Sequence, residues 1–214
     1  MQEWRISMKT KKLDLLPLKA LKVNDFFWNK YTGLVTKEII PYQWKALNDE
    51  VADAEPSYCI DNFKVAAGLK EGTFHGWVFQ DTDLAKWLEA VAYSLSYEPN
   101  EALEKLADDA IELVGKAQQE NGYINTHFTI LHPGKQYCNL KEGHELYTTG
   151  HFIEAAIAYY EVTGKDKFLN IMKKNADLIC DVFHTEKYKN AVPGHEEIEL
   201  ALMKLATITG DDKY

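Results

Sequence analysis

Polar side chains suited to ligand binding lie at, or just before, the starts of predicted helices. His144 begins a His-Glu-Leu-Tyr segment, His195 follows Gly194, and Gln80 ends a Trp-Val-Phe-Gln segment. Imidazole and amide groups beside aromatic rings are typical of sites that hydrogen-bond the hydroxyls of a sugar. Four aromatic residues near these positions offer flat apolar faces: Trp77, Phe79, Tyr123 and Tyr147. The pattern therefore favours a site for a hydroxyl-rich ligand.

Each of these residues also has a structural explanation. A histidine at a helix start is often only a capping partner, and aromatic residues are more common in cores than on binding surfaces. Glu145, Glu196 and Glu197 fall in predicted first turns, where the helix dipole favours an anion without any catalytic duty. His151 lies one turn inside its predicted helix and is predicted to be structural. Spacing alone leaves the binding and structural explanations of His144 and His195 open.

The sequence carries no complete metal-binding or nucleotide-binding motif. His144 and His151 are not spaced as in H-E-x-x-H, and Cys59, Cys138 and Cys180 are scattered, with no C-x-x-C pair. The odd cysteine count argues against a disulfide framework and predicts three free thiols. Sequences of the types G-x-G-x-x-G, P-loop and G-x-S-x-G are also missing, which excludes the usual nucleotide-binding and serine-hydrolase patterns. We predict no metal site within this chain.

The elements that must position the candidate residues are helices. Apolar residues recur at helical spacing from Asp81 onward, with Pro99, Gly164 and Gly210 as stop signals. Residues 1–80 carry many aromatics but no long period, which predicts an irregular N-terminal segment followed by helical hairpins over 81–214, all within one domain. Five helices are predicted at approximately 81–98, 100–121, 144–163, 166–183 and 196–209.

An internal repeat organises these helices. The segment 88–92 aligns with 153–157 at an offset of 65 residues, and 163–168 aligns with 209–214 at an offset of 46. Stacked helical hairpins of this kind form either an α/α-solenoid or a closed α/α-toroid. In a toroid, alternate helices form an inner ring, so His144 and His195 would enter one cup at equivalent points. The last unit stops at Tyr214, which predicts that the chain is one part of a longer toroid.

Composition limits the partners. The 214 residues include 24 Lys and Arg against 33 Asp and Glu, for a net charge of −9, and 46% are hydrophobic. With Lys9-Thr10-Lys11-Lys12 as the only short basic block, neither nucleic acid nor an anionic membrane is an expected partner. No apolar run approaches the roughly 20 residues of a membrane span. Residues 1–21 show no signal-peptide core, so we expect a cytoplasmic location.

The motifs together resemble the glycoside hydrolase family 127 group of β-L-arabinofuranosidases. The resemblance extends from about Val23 to Tyr214, and its segments are specific in combination although each is weak alone. They are Phe27-Trp28, Ile40-Pro41-Tyr42-Gln43-Trp44, Lys64-Val65-Ala66-Ala67-Gly68, Phe74-His75-Gly76-Trp77-Val78-Phe79-Gln80-Asp81-Thr82-Asp83, Lys86-Trp87-Leu88-Glu89-Ala90, Ala117-Gln118-Gln119-Glu120-Asn121-Gly122-Tyr123, His144-Glu145-Leu146-Tyr147 with Gly150-His151, and Gly194-His195-Glu196-Glu197-Ile198-Glu199-Leu200-Ala201.

The resemblance implies an all-α fold, the N-terminal part of an (α/α)6 barrel, in an enzyme that releases L-arabinofuranose from β-L-arabinofuranosides. It implies retaining catalysis through a cysteine thiolate held by zinc, with a glutamate as acid/base. Such a thiolate is a competent nucleophile because zinc lowers the thiol pKa. In the family these groups follow the region matched here, so Zn²⁺ is expected only in the full-length fold and its ligands are not expected in this chain.

The resemblance assigns substrate binding to part of the cup. His144, His195 and Gly194 match positions that hold the sugar, and Phe79 matches an aromatic near it. Gln80 is added from its place at the helix entrance. No catalytic residue is assigned to the 214-residue chain, which alone is expected to be inactive.

Two alternatives stay open. The chain could be a non-catalytic helical module that binds a sugar or a partner, its open edge covered by a second copy in a homodimer. It could also belong to an α/α-barrel hydrolase for another sugar, such as an unsaturated uronide. Arg5 is the only arginine of the chain, which argues against a pocket for an acidic sugar.

Overall fold

The computed structural model describes residues 16–214, and this part of the chain is helical, with no β-strand. The basic block at 9–12 and most of the segment considered for a signal peptide lie outside the described residues. Short 3₁₀ helices occur at Leu18–Ala20 and Glu186–Tyr188, and a π-helical turn at Val35–Ile39. The α-helices are α1 (Phe26–Leu34), α2 (Ile40–Leu47), α3 (Cys59–Ala66), α4 (Asp81–Tyr97), α5 (Glu101–Ala117), α6 (Thr126–Leu131), α7 (Glu145–Thr163), α8 (Lys167–Phe183) and α9 (Ile198–Thr209).

The long helices form two layers. Helix α7 packs between α4 and α9, while α5 and α8 lie behind them and contact each other. The outer helices are amphipathic: α5 buries Ala107, Ala110, Ile111, Val114 and Ala117, which share one face at spacings of three and four residues. Helix α7 is buried on nearly all sides because it has neighbours in both layers. The inner row of α4, α7 and α9 brings the starts of these helices to one end of the molecule.

Local signals explain where these helices begin and end. The Asn100 side chain accepts a hydrogen bond from the Leu103 N–H at 3.0 Å and caps α5. Gly164 and Gly210 adopt left-handed conformations, with φ of 75° and 68°, just after α7 and α9. The five helices predicted from residue 81 onward are therefore present, with small shifts at their ends.

The prediction of an irregular segment over 1–80 was wrong for the parts that form α1, α2 and α3. Helix α1 buries no residue, and Phe26 is 93% exposed, so its apolar residues follow no buried stripe. Helix α2 buries only Ile40 and Leu47. Trp87 of α4 holds α2 by donating from Nε1 to the Ile40 carbonyl at 3.1 Å, with the Trp44 ring against its own.

The connection between α5 and α7, for which no helix was predicted, contains the short helix α6. The Asn125 side chain caps α6 by accepting from the Phe128 N–H at 3.0 Å. Six residues are too few for a visible helical period in the sequence. Among the described helices, none is both long enough and apolar enough to cross a membrane.

Candidate functional site

His144 and His195 meet at the end of the inner row. His144 precedes α7 in a left-handed conformation, with φ of 53°, and its Nε2 lies 3.2 Å from His195 Nε2. His144 Nδ1 is 2.8 Å from the carbonyl oxygen of Glu142, so Nδ1 carries the hydrogen and donates it. A hydrogen bond between the two Nε2 atoms needs one of them to be without hydrogen, so with Nδ1 as its donor His144 accepts at Nε2 and His195 Nε2 donates. The pair presents one acceptor and one donor at adjacent positions.

Aromatic rings surround the histidine pair. The Phe79 ring lies 5.2 Å from that of His144, and the Tyr147 ring lies 4.9 Å from that of His195, measured between centroids. Lys86 Nζ donates to the Tyr147 hydroxyl oxygen at 3.1 Å. The site thus combines imidazole groups with apolar ring faces, the combination that the sequence pattern favours.

Gly194 allows the histidines to approach. Its N–H donates to the Leu140 carbonyl at 3.2 Å, and a Cβ at this position would lie 2.4 Å from the carbonyl oxygen of Lys141. Any side chain would push residue 194 away from the loop that holds His144. Gly194 therefore positions His195, a role that the one-dimensional pattern does not reveal.

Gln80 lies beneath the turn that carries Trp77 and Phe79. Its Nε2 donates to the Asp83 carboxylate at 2.7 Å and to the Ser57 hydroxyl at 3.4 Å, while its Oε1 accepts from the Trp77 N–H at 3.3 Å. The side chain is 8% exposed and has protein partners at both ends of the amide. These contacts favour a positioning role over the direct ligand contact predicted from sequence.

Glu145 anchors the connection that precedes α7. It is buried, accepts from the Tyr123 hydroxyl and from the Tyr137 N–H, and burial raises the pKa of its carboxyl to about 7. Tyr123, predicted as a possible binding face, is 1% exposed and serves this anchor. Glu145 therefore fixes the backbone next to His144.

Asp81 plays the corresponding part at the start of α4. Its carboxylate accepts from the N–H of Thr126 at 2.7 Å and from the hydroxyl of the same residue. Burial raises the pKa of Asp81 to about 6. Two acids at the first positions of neighbouring inner helices thus hold the same connecting segment. An acid in a first turn has many explanations, so this role has no distinct signal in the sequence.

A family model described as the β-L-arabinofuranosidase GH127 catalytic domain matches residues 20–214. The chain belongs to glycoside hydrolase family 127. A curated relative, the non-reducing end β-L-arabinofuranosidase of Bifidobacterium longum subsp. longum, is 40% identical and is matched over 88% of this chain and 31% of its own length. The resemblance inferred from the sequence motifs is confirmed.

Solved GH127 structures share the fold. The crystal structure of a GH127 β-L-arabinofuranosidase from Geobacillus stearothermophilus T6 matches with a TM-score of 0.87 and 55% identity, over 90% of this chain and 31% of that one. A second GH127 β-arabinofuranosidase matches with a TM-score of 0.82 and 35% identity, over 92% and 32% of the two chains. The prediction of an all-α part of a larger GH127 fold is confirmed. The chain spans about a third of the relatives it matches.

The zinc implied by GH127 membership does not fit the side chains of residues 16–214. No three His, Cys, Asp or Glu side chains in this range group closely enough to hold a metal ion. Cys59 is fully buried and its thiol faces the Gln80 carbonyl at 3.5 Å; burial raises its pKa well above the usual value. A thiol in this state is a poor nucleophile, so we derive no catalytic step through zinc or through Cys59.

His151, predicted to be structural, lies one turn further along α7 than Tyr147. Its ring packs edge-on against Tyr147 at 4.5 Å, and its Nδ1 is 3.4 Å from Glu197. Burial lowers the pKa of His151 to about 4, so the ring is neutral near pH 7. A Cβ on Gly150 would lie 2.6 Å from Glu197 Cγ, which shows how closely α7 and the start of α9 approach.

Proposed function

We propose that this chain supplies the sugar-binding part of a retaining glycoside hydrolase that releases L-arabinofuranose from β-L-arabinofuranosides. Membership of GH127 supports the reaction class. The observation that carries the proposal is the Nε2–Nε2 approach of His144 and His195 at 3.2 Å beside the Phe79 ring.

In this proposal the histidine pair binds sugar hydroxyls. A hydroxyl both donates and accepts, so it can donate to His144 Nε2 while a neighbouring hydroxyl accepts from His195 Nε2. The Phe79 ring offers an apolar face to the C–H groups of the furanose. Glu142 and Gly194 keep the two imidazoles in place, through the Nδ1 hydrogen bond and the close backbone contact.

We assign no nucleophile and no acid/base to the described residues. The buried Cys59 thiol holds its proton, and Glu145 is occupied by Tyr123 and Tyr137. In the proposal these catalytic groups belong to the further length that the relatives possess. The 214-residue chain alone is accordingly expected to bind but not to hydrolyse the substrate.

The test uses the full-length protein that carries this sequence. His144→Ala and His195→Ala should each lower kcat/KM on an aryl β-L-arabinofuranoside by about tenfold or more, in line with a lost hydrogen bond to the substrate. His184→Ala, at the exposed end of the outer helix α8, is the matched control and should keep wild-type kcat/KM. Wild-type kcat/KM in either test variant would refute the assigned roles.

A further inference from the structure

Trp77 is exposed on a turn whose backbone is held by hydrogen bonds. Its ring is 71% accessible to solvent, an unusual state for the largest apolar side chain. Its backbone is fixed from both sides: Gln80 Oε1 accepts from the Trp77 N–H, and the Gln80 N–H donates to the Trp77 carbonyl at 2.8 Å. Gly76, with φ of 96°, makes the turn possible. The turn therefore presents the indole to solvent from a fixed backbone position.

The Trp77 ring continues the apolar surface of the site. Its plane is within 6° of the Phe79 plane, and the ring centroids are 6.1 Å apart. Phe79 in turn lies against His144. Two parallel rings thus lead away from the histidine pair, with Phe79 next to the pair and Trp77 one ring further out.

We propose that Trp77 is the stacking platform for the second sugar residue of the substrate, the residue linked to the arabinofuranose held by His144 and His195. This rests on the proposed function and adds a subsite to it. The C–H face of a sugar ring packs on a flat aromatic surface, and a rigid indole binds it at low cost in conformational entropy. Because the two rings are stacked, one face of Trp77 is turned toward Phe79, and the second sugar would lie on the other face.

Trp28 supplies a matched control for this subsite. It is also a largely exposed tryptophan, at 55%, but it lies on α1, where Phe27 and not a site residue contacts its ring. The effect of losing any exposed indole can thus be distinguished from the effect of losing the indole of Trp77.

The experiment compares two substrates in the full-length protein: methyl β-L-arabinofuranoside and a β-linked disaccharide of L-arabinofuranose. Trp77→Ala should lower kcat/KM on the disaccharide at least tenfold more than on the methyl glycoside, because only the disaccharide reaches the platform. Trp77→Phe should recover much of the difference, since an aromatic face remains. Trp28→Ala should leave the ratio of the two kcat/KM values at the wild-type level.

Two results would overturn the proposal that Trp77 is a stacking platform. Equal losses on both substrates, with a lowered unfolding temperature, would show that Trp77 is covered by another part of the protein. Unchanged kcat/KM on both substrates would show that the ring contacts no ligand.

If the wild type hydrolyses neither glycoside, the proposed function fails separately. The platform proposal is then tested by titrating the wild type and Trp77→Ala with the disaccharide and with L-arabinose. Weaker binding of the disaccharide alone supports it, and equal affinities refute it.

Discussion

At the scale of single residues, the placement of His144 depends on its neighbour. Residue 144 adopts a left-handed backbone, which is uncommon for a residue other than glycine and is favoured here by nearby contacts. These contacts are the Glu142 carbonyl on the ring and the buried Glu145 carboxyl, which holds the preceding connection. The position of His144 therefore depends on the contacts made by its two neighbours, Glu142 and Glu145.

Glu145 makes stability depend on pH. Its carboxyl pKa is raised by burial from 4.5 to about 7, so the folded state binds this proton more tightly than the unfolded state. The contribution is fully present below about pH 4.5 and is lost as pH rises through about 7. Between pH 5 and pH 8 the wild type should lose about 2 kcal/mol from this group. Glu145→Gln should remove that loss, as thermal unfolding at the two pH values can show.

Glu142→Gln is the control for this prediction, because Glu142 is an exposed acid in the same loop. Its unfolding temperature should change with pH as in the wild type. An unfolding temperature of Glu145→Gln that falls with pH as much as that of the wild type would contradict the raised pKa.

The sequence predicted the candidate site residues unevenly. His144 and His195 could be paired because both were predicted at the starts of helices in successive units, and the structure brings their rings into contact. The roles of Gly194 and Gln80 could not be predicted because both depend on tertiary contacts. Gly194 lies against the Lys141 backbone, and the Gln80 amide is enclosed by the 76–80 turn.

At the scale of elements, the helices from α4 onward were predictable because each combines an apolar period with an end signal. Pro99 separates α4 from α5, and Gly164 separates α7 from α8. Helix α1 was missed because Phe26 and its apolar neighbours are exposed, so no periodic buried face marks it. Tertiary contacts, and not the local sequence pattern, determine the secondary structure of such a segment.

The segment before α9 must touch the loop before α7 for the site to form. Gly194→Ala would place a methyl group 2.4 Å from the Lys141 carbonyl oxygen, so the segment must move and take His195 with it. We expect kcat/KM of the full-length protein to fall about tenfold or more, as misplaced groups commonly cause, with a stability cost of about 1–3 kcal/mol.

Gly33→Ala is the matched control, because a Cβ at this helical position meets nothing within 4 Å. It should retain wild-type kcat/KM and wild-type stability or slightly better. Gly194→Ala with wild-type activity would show that the close contact does not position His195.

At the scale of the whole molecule, the two-layer packing explains why one end carries the site. The inner helices α4, α7 and α9 lie side by side, so the segments preceding them converge. Trp77 and Phe79 come before α4, His144 before α7 and His195 before α9. The chain spans about 31% of its matched relatives, and the proposal divides the enzyme accordingly: sugar binding here, bond cleavage in the further length.

A structure of the full-length protein with bound L-arabinose would test the central claim most directly. The account predicts a furanose with hydroxyl oxygens within about 3.2 Å of His144 Nε2 and of His195 Nε2, and with one face on the Phe79 ring. A sugar bound elsewhere, with the two imidazoles still hydrogen-bonded only to each other and to Glu142, would contradict it.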